Sequence, residues 1–294
     1  MLKRSLLLEN RASITAKNLQ LVIKTETRES TIPIEDIGFI VIDNPEIYIS
    51  IPAMNLLIEN NTSLIICGKN HLPNGMFLNL NSHHVQQEIF RNQIEASLPL
   101  KKQLWQLTIV EKIKNQGILL EKITGSKNQF EFLASKVLSG DTSNMEGVAA
   151  SQYWKSFFEE GFKRERFGNY PNNFLNYGYA ILRAATARAL SGSGLLNTLG
   201  IHHKSKYNAF ALADDIMEPF RPLVDEKVYE IMQQYDEQEL NTQIKSELLQ
   251  LLTRTVYFKE EKSPLMVALQ KTASSLQQCY TGERKKIKYP KLWS

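Results

Sequence analysis

The strongest constraint on the fold is a change of hydrophobic pattern near residue 80. Before it, short runs rich in β-branched residues, such as 38–42, are separated by turn-forming Asn, Asp and Pro, and that pattern predicts β-strands. After it, apolar residues recur at helical spacing, as in 172–190. The sequence therefore predicts an α+β fold, with an N-terminal β-domain at residues 1–80, a linker at 81–90 and a larger all-α C-terminal domain at 91–294.

Three segments give more detailed expectations. Ile51–Glu59 has a helical apolar pattern, and Pro52 suits the first turn of a helix. The continuous apolar run Ser63–Cys67 is typical of a buried strand. Residues 243–257 have an amphipathic pattern that predicts a further helix.

The composition favours a cytoplasmic protein without a membrane anchor. The chain is 43% hydrophobic and 22% charged, which is ordinary for a globular protein in water. No apolar run reaches the roughly 18 residues of a membrane span, and the N-terminal apolar run is too short for a signal peptide. Cys67 and Cys279 stand in unrelated contexts and predict neither a disulfide framework nor a zinc site. The net charge of +4 is by itself weak support for a nucleic-acid partner.

The segment 199–224 carries the strongest candidate for chemistry. Asp215 and Glu218 are three residues apart, so a helix would place both carboxylates on one face, one turn apart. Apolar residues interleave them, and we therefore interpret the pair as half-buried. Two carboxylates this close repel each other unless a cation or a proton lies between them. With His202 or His203 from the preceding loop, the segment predicts a site for a hard divalent metal.

Other polar residues have a functional and a plain explanation. Glu146 falls in the first turn of a predicted helix, where it would complement the helix dipole. Only its pairing with the later acidic segment favours a role in a site. Asn172 and Tyr179 are polar groups on an otherwise apolar helix and need partners. They either order a site or satisfy the end of the helix.

Basic residues interleaved with amide and aromatic groups are candidate contacts for DNA. Such residues can follow a phosphate backbone, although a solvated helix face explains each lysine at least as well. The candidates are Arg91, Lys112, Lys114, Lys163, Arg164 and Arg166. The basic run 284–291 is either a phosphate-binding arm, a tail that docks on a partner or a solvated terminus.

Three motifs occur in an order that is typical of one family. They are N-M-E-G-V-A-A-S-Q-Y-W at 144–154, N-N-F-L-N-Y-G-Y-A-I-L at 172–182, and L-G-I-H-H at 199–203 followed by L-A-D-D-I-M-E-P-F-R-P-L-V-D at 212–225. Over its whole length the chain resembles the integrase/endonuclease subunit of CRISPR adaptation complexes, which acquire new spacers in antiviral defence. The form of the second and third motifs resembles the version found in type II systems.

The resemblance implies a catalytic site that binds Mg²⁺ or Mn²⁺ through a Glu, a His and an acidic residue. These positions match Glu146, His203 and Glu218, with His202 as the alternative histidine. Residues that match further site-lining positions are Asp215, Asn172 and Tyr179.

The resemblance also implies a reaction and partners. The 3′-hydroxyl of a prespacer strand would attack a phosphodiester at the edge of a CRISPR repeat, in a metal-dependent transesterification. The same site with water as nucleophile would cut DNA. Double-stranded DNA, a homodimer and a small dimeric second subunit are the implied partners. Two alternatives stay open: a repair-type metal-dependent endonuclease that cuts without joining, and a non-catalytic DNA-binding scaffold whose acidic pair is only a buried hydrogen-bonded structure.

Overall fold

The structure is a computed structural model that describes residues 3–79, 81–158, 161–166, 168–259 and 261–294. Its N-terminal part is rich in strands and its C-terminal part is mainly helical, so the α+β prediction is confirmed. Residues 1, 2 and 80, at the ends of the predicted β-domain, lie outside the described residues.

Two four-stranded sheets form the N-terminal part. The first has the strand order β1-β5-β7-β8 and the second has the order β4-β3-β2-β6. In the first sheet β1, β5 and β7 are parallel, and β8 is antiparallel to β7. The strands are β1 (Arg4–Leu8), β2 (Ala12–Lys17), β3 (Gln20–Lys24), β4 (Glu29–Pro33), β5 (Ile37–Ile42), β6 (Ile47–Ile49), β7 (Ser63–Cys67) and β8 (Pro73–Phe77).

Strand β5 lies between two hydrophobic cores. Ile40 and Ile42 belong to the core shared with the second sheet, whereas Phe39 and Val41 belong to the core of the helical part. Successive side chains of a strand point to opposite faces. A strand covered on both faces must therefore be apolar throughout, and β5 is buried at every position.

Helix α1 (Ile51–Glu59) connects β6 to β7 and confirms the predicted helix. The hydroxyl of Ser50 accepts a hydrogen bond from the backbone N–H of Ala53 at 3.4 Å, and Pro52 occupies the first turn. The apolar run that follows forms β7, as predicted.

Helices make up most of the C-terminal part, and no helix among the described residues is long and apolar enough to cross a membrane. The helices are α2 (Gln86–Glu95), α3 (Leu98–Thr124), α4 (Phe130–Ser135), α5 (Met145–Phe157), α6 (Asn172–Gly192), α7 (Ala211–Met217), α8 (Arg221–Gln234), α9 (Thr242–Leu249) and α10 (Leu265–Tyr280).

The helix predicted for 243–257 is wrong in its second half. Helix α9 ends at Leu249 and a 3-10 turn continues to Thr253, and the chain then enters strand β9 (Thr255–Phe258), which pairs with β10 (Glu261–Pro264). Tyr257 also pairs with Lys291 near the C-terminus. The residues of β9 are β-branched or aromatic, and pairing with the next strand and with the distant Lys291 gives them ladder hydrogen bonds that a helix pattern does not reveal.

The connection between the two parts is shorter than the predicted linker at 81–90, because α2 already begins at Gln86. Helix α2 then packs against α10, far along the chain. The domain boundaries themselves stay a prediction.

A buried ion-pair cluster joins the two parts. The ammonium of Lys245, on α9, lies 2.8 Å from Glu9 Oε1 and 2.6 Å from Asp43 Oδ2. Glu9 follows β1 and Asp43 follows β5, so one lysine contacts the ends of two neighbouring parallel strands. Its side chain is only 5% exposed, and removal of its charge would leave two carboxylates without their counter-ion.

Helix α6 brings the site elements together. Gly178 allows a close approach, since a Cβ there would lie 2.5 Å from Val224 Cγ1 of α8. Helix α6 packs on α7, α8 and α10, and α3 packs on α5 and on the turn between α7 and α8. The acidic residues of α5 and of the α7–α8 turn therefore face α3 from two sides.

Candidate active site

Four charged side chains converge where α3, α5 and the α7–α8 turn meet. The ammonium of Lys112, on α3, lies 2.6 Å from Glu146 Oε1 and 2.6 Å from Glu218 Oε2. The guanidinium of Arg221 donates from Nε to Glu218 Oε1 at 2.8 Å. Two carboxylates are thus balanced by two cations in a largely buried cluster. We call these four residues the charged centre.

The first turn of α5 is held by two side chains that precede it. The carboxylate of Asp141 accepts hydrogen bonds from the backbone N–H groups of Met145 and Glu146, at 2.8 and 3.0 Å. The side chain of Asn144 caps the helix by accepting from the N–H of Gly147. The backbone that carries Glu146 is therefore held by both Asp141 and Asn144. Because Glu146 also contacts Lys112, complementing the helix dipole is not its whole role.

Glu218 lies at a tight turn between α7 and α8. Pro219 follows it, and the side chain of Asn115 on α3 donates to the carbonyl of Pro219 at 2.8 Å. Burial would raise the pKa of Glu218, but Arg221 and Lys112 lower it to about 2. The Glu218 carboxylate is therefore ionised at neutral pH.

The predicted half-buried pair of Asp215 and Glu218 is more buried than expected, at 0% and 4% exposure. The two carboxylates also have different partners. Asp215 accepts from the backbone N–H groups of His202 and His203, at 2.9 and 3.3 Å. Asp215 thereby fixes the loop that carries both histidines, whereas Glu218 belongs to the charged centre and contacts Lys112 and Arg221.

Asp215 also orients the imidazole of His203. Nδ1 of His203 lies 2.5 Å from Asp215 Oδ1. A hydrogen bond donated from Nδ1 leaves the lone pair of Nε2 for another partner, an arrangement common for histidines that bind metals. The hydrogen bond to Asp215 raises the pKa of His203 against the opposing effect of burial, and the charges of Glu218 and Glu146 contribute in the same direction.

The two adjacent histidines have different surroundings. The ring of His202 stacks on Trp105, with centroids 4.3 Å apart and planes 2° apart. The ring of His203 meets the same indole edge-on. Stacking occupies a face of His202, whereas His203 is oriented by a carboxylate. This difference favours His203 over His202 as the ligand.

The donor set fits a hard divalent cation. The carboxylates of Glu146 and Glu218 already converge on the ammonium of Lys112. The imidazole of His203 is close enough to both carboxylates that their charges raise its pKa. Glu218 Oε2 is buried and makes no hydrogen bond of good geometry among the described residues, although it contacts Lys112. Within that part of the chain, no three acidic, His or Cys side chains already form a metal-binding group.

Asn172 orders a loop. Its Oδ1 accepts from the N–H of Glu165 at 2.9 Å and from Arg164 Nη1 at 3.0 Å, and its amide donates to the carbonyl of Lys163 at 3.0 Å. These bonds join the start of α6 to the loop at 163–165, and among the described residues no side chain caps the helix itself. They also hold Arg164 in place.

Tyr179 lies beneath two arginines. The guanidinium carbons of Arg164 and Arg221 lie 5.1 and 4.6 Å from the centroid of its ring. Its hydroxyl donates to Asp225, which also accepts from Tyr153 at 2.8 Å. The ring of Tyr179 thus packs against the guanidinium of Arg221, and that arginine connects Tyr179 to the charged centre.

The sequence interpretation missed Arg221 and Asp225. Arg221 follows Glu218 at the helical i, i+3 spacing, so the motif itself could have indicated that ion pair. Asp225 is buried at 1% exposure. Burial raises its pKa to about 6, although the hydrogen bonds from Tyr179 and Tyr153 oppose this. Its partners Tyr153 and Tyr179 lie in the other two motifs, but only the packing of their helices shows that they meet Asp225.

The six basic candidates for DNA contact lie in different surroundings. Lys112 is buried in the charged centre instead of on an open helix face. Lys114 pairs with Glu131 at 3.0 Å on the surface of α3. Arg91 is exposed on α2. Those that precede α6 are Lys163, Arg164 and Arg166, of which the first and last are exposed and the second is half-buried.

Two cavities flank the loop that begins with His203. One, of about 720 Å³, is lined by His203, Lys101, Lys204 and Lys206 together with apolar side chains. The other, of about 550 Å³, is polar and extends to the turn before β8. Its charged lining residues are Arg164, Arg166, Arg183, Arg221 and Asp214. We call the second one the arginine cavity.

Comparison with known proteins identifies the family. The family described as CRISPR associated protein Cas1 matches residues 6–260. The CRISPR-associated endonuclease Cas1 of Neisseria meningitidis serogroup C (strain 8013) is 38% identical over 294 residues, covering 98% of this chain and 96% of that protein. The chain therefore belongs to the Cas1 family of CRISPR adaptation, and the resemblance noted in the sequence is confirmed.

Solved structures share the fold. A casposase bound to integration product superposes with a TM-score of 0.78 at 20% identity, covering 97% of this chain and 92% of that one. A Cas6-RT-Cas1–Cas2 complex superposes with a TM-score of 0.75 at 20% identity, covering 99% of this chain and 36% of that one. At these identities the likeness concerns the fold alone.

Proposed function

We propose that this chain is the metal-dependent DNA integrase of a CRISPR adaptation complex, and that the same site has endonuclease activity. The observation that carries the proposal is the convergence of Glu146 and Glu218 on one cation, beside a histidine that Asp215 orients. That arrangement, in a member of the Cas1 family, supports phosphodiester chemistry better than a purely structural role.

The proposed metal ligands are Glu146, His203 and Glu218, and all three also fit Mg²⁺ or Mn²⁺ by their donor atoms. Such an ion would lower the pKa of the attacking 3′-hydroxyl and neutralise charge on the phosphoryl oxygens.

The other residues act by positioning. Arg221 keeps Glu218 ionised and directed at the centre. Asp215 holds the His203 ring, and Asp141 holds the helix that carries Glu146. The chain thereby presents its donors in place before substrate binds, which reduces reorganisation during reaction.

The arginine cavity supports DNA as the substrate. Arg164 donates to the side-chain oxygens of Asn172 and Asn176 and to the carbonyl of Glu165, so all of these partners are neutral. Among the described residues no carboxylate forms an ion pair with Arg164, so its positive charge is available to a phosphate, next to the arginine that contacts Glu218. We infer that the phosphates flanking the reacting one lie along this cavity. We also propose Arg91, Lys114, Lys163 and Arg166 as outer contacts.

We propose prespacer and CRISPR-repeat DNA, a second copy of this chain and a small dimeric second subunit as partners. Insertion at both ends of a repeat needs two active sites at a fixed distance, which a symmetric assembly supplies. The casposase and Cas1–Cas2 likenesses support this assignment, since those proteins were solved with an integration product and with Cas2. A reducing cytoplasm suits such a complex, in which Cys67 and Cys279 are unpaired thiols.

A strand-transfer assay tests the proposal. Purified protein, a short duplex with 3′-hydroxyl ends, Mn²⁺ or Mg²⁺ and a supercoiled plasmid with a repeat would be combined, with and without the second subunit. We expect joined products from the wild type and none from Glu218→Gln. Glu131→Gln, at an exposed glutamate on α4, is the matched control and should keep full activity.

The two alternatives give different products. A repair-type endonuclease would cut DNA in the same mixture without joined products, even with the second subunit present. A non-catalytic scaffold would bind the duplex and neither cut nor join it, and Glu218→Gln would change only its stability.

A further inference from the structure

Lys112 occupies the place where the two acidic ligands of the proposed site converge. Its ammonium lies 2.6 Å from a carboxylate oxygen of Glu146 and 2.6 Å from one of Glu218. The lysine side chain is only 10% exposed. A lysine this buried is unusual unless its charge is paired, and here two carboxylates pair it.

The surrounding contacts show what Lys112 does for each carboxylate. Glu218 has a second cation, because Arg221 contacts its other oxygen. For Glu146, the ammonium of Lys112 is the cationic partner that the described structure provides. Removal of Lys112 would therefore leave Glu146 facing Glu218 without an intervening positive charge.

A divalent ion held by the same two carboxylates would be close to this ammonium, and like charges in a partly buried place repel strongly. The ammonium of Lys112 and a divalent ion therefore cannot both contact the two carboxylates at the same time.

We propose that Lys112 is the resident cation of the charged centre, which holds Glu146 and Glu218 together in the metal-free protein and is displaced when a divalent ion binds. The proposal rests on the ligand assignment of the proposed function. Its consequence is that Lys112 weakens metal affinity while it stabilises the metal-free state.

The direct test is a calorimetric titration of Mn²⁺ into the full chain without DNA. Lys112→Met removes the charge and keeps an unbranched, flexible side chain that is one atom shorter. We expect at least about tenfold tighter Mn²⁺ binding, because close like charges repel by more than the ~1.4 kcal/mol that a factor of ten requires. The variant should also melt at a lower temperature without metal and gain more from Mn²⁺ than the wild type.

The controls separate this proposal from the ligand assignment. Lys114→Met removes a half-buried lysine of the same helix, which pairs with Glu131 and not with the charged centre, and should leave Mn²⁺ affinity unchanged. Glu218→Gln should abolish the binding in both backgrounds. If Mn²⁺ binds equally well to Glu218→Gln, the ligand assignment is wrong. If binding depends on Glu218 but Lys112→Met does not tighten it, only the resident-cation proposal is overturned.

A second measurement needs no variant and covers the case in which Lys112→Met fails to fold. Lysines of the wild type would be labelled with an amine-reactive reagent and quantified by mass spectrometry, with and without saturating Mn²⁺. We expect the labelling of Lys112 to rise several-fold with Mn²⁺, and that of Lys114 to stay constant. Unchanged labelling of Lys112 would overturn the proposal.

Discussion

The contact between Asp215 and the histidine loop allows a prediction that can be worked out in detail. Asp215 is completely buried and accepts from the backbone N–H groups of His202 and His203 and from the His203 ring. Asp215→Asn preserves the size of the side chain and removes its charge. The amide has one acceptor oxygen and an NH₂ group, so it cannot accept all three of these hydrogen bonds.

The magnitude follows from the hydrogen bonds lost. A hydrogen bond to a charged group contributes about 1.5–3 kcal/mol, and a buried donor left facing another donor adds a desolvation penalty. We expect Asp215→Asn to lower the free energy of unfolding by about 2–4 kcal/mol. Because the His203 ring is no longer held, we also expect Mn²⁺ affinity to fall by about 10–100-fold, as for other residues that orient a metal-binding histidine.

The pH dependence gives an independent readout. Folding raises the pKa of His203, through the hydrogen bond to Asp215 in the first place. A group with a raised pKa contributes stability that is fully present below its unfolded value of about 6.5 and is lost as pH rises through the folded pKa. This part of the pH dependence should be smaller in Asp215→Asn, in which only the charges of Glu218 and Glu146 still raise the pKa of His203.

Urea unfolding of the metal-free protein at several pH values, with NMR titration of the His203 ring, measures both effects. Asp236→Asn, at an exposed position after α8, is the control and should change neither quantity. If Asp215→Asn unfolds at the wild-type urea concentration and the pKa of His203 stays as high as in the wild type, the assigned role of Asp215 is refuted.

Three further predictions concern other parts of the chain. His203→Ala should abolish strand transfer with little change in duplex affinity, whereas His202→Ala should retain it; the reverse result in the plasmid assay would make His202 the ligand. Arg164→Ala should weaken duplex binding and lower the slope of log affinity against log salt by about 1. A fluorescence titration at several salt concentrations measures this slope, and an unchanged slope would show that Arg164 does not contact the DNA. Lys245→Met should lower the free energy of unfolding by about 3–5 kcal/mol in urea, because the buried Asp43 and the largely buried Glu9 lose the ammonium between them, and, among the described residues, Asp43 keeps only its contact with His71. Lys227→Met breaks a less buried pair and should cost much less, so equal losses would contradict this reasoning.

Local signals in the sequence predicted several elements well. Helix α1 begins where its pattern indicates, because its capping residue and its proline lie within four residues of its start. Its end at Glu59 also agrees with the predicted range. Strand β7 was predicted from its apolar run, but only its first three residues are buried, and Ile66 is exposed. The same local pattern failed at β9, where pairing with β10 and with Lys291 outweighs helical spacing.

By itself the sequence determined the fold class, the family and the donor types of the site, since these depend on periodicity and on motifs that are read along the chain. Only the tertiary structure decided the partners. From the sequence alone, Lys112 could be a surface lysine and Asp215 a neighbour of the metal. In the structure, the packing of α3 against α5 and the α7–α8 turn places Lys112 between two carboxylates. The histidine loop donates hydrogen bonds to Asp215. A charge takes its role from the groups that surround it once water is excluded, and those groups come from segments that are distant along the chain.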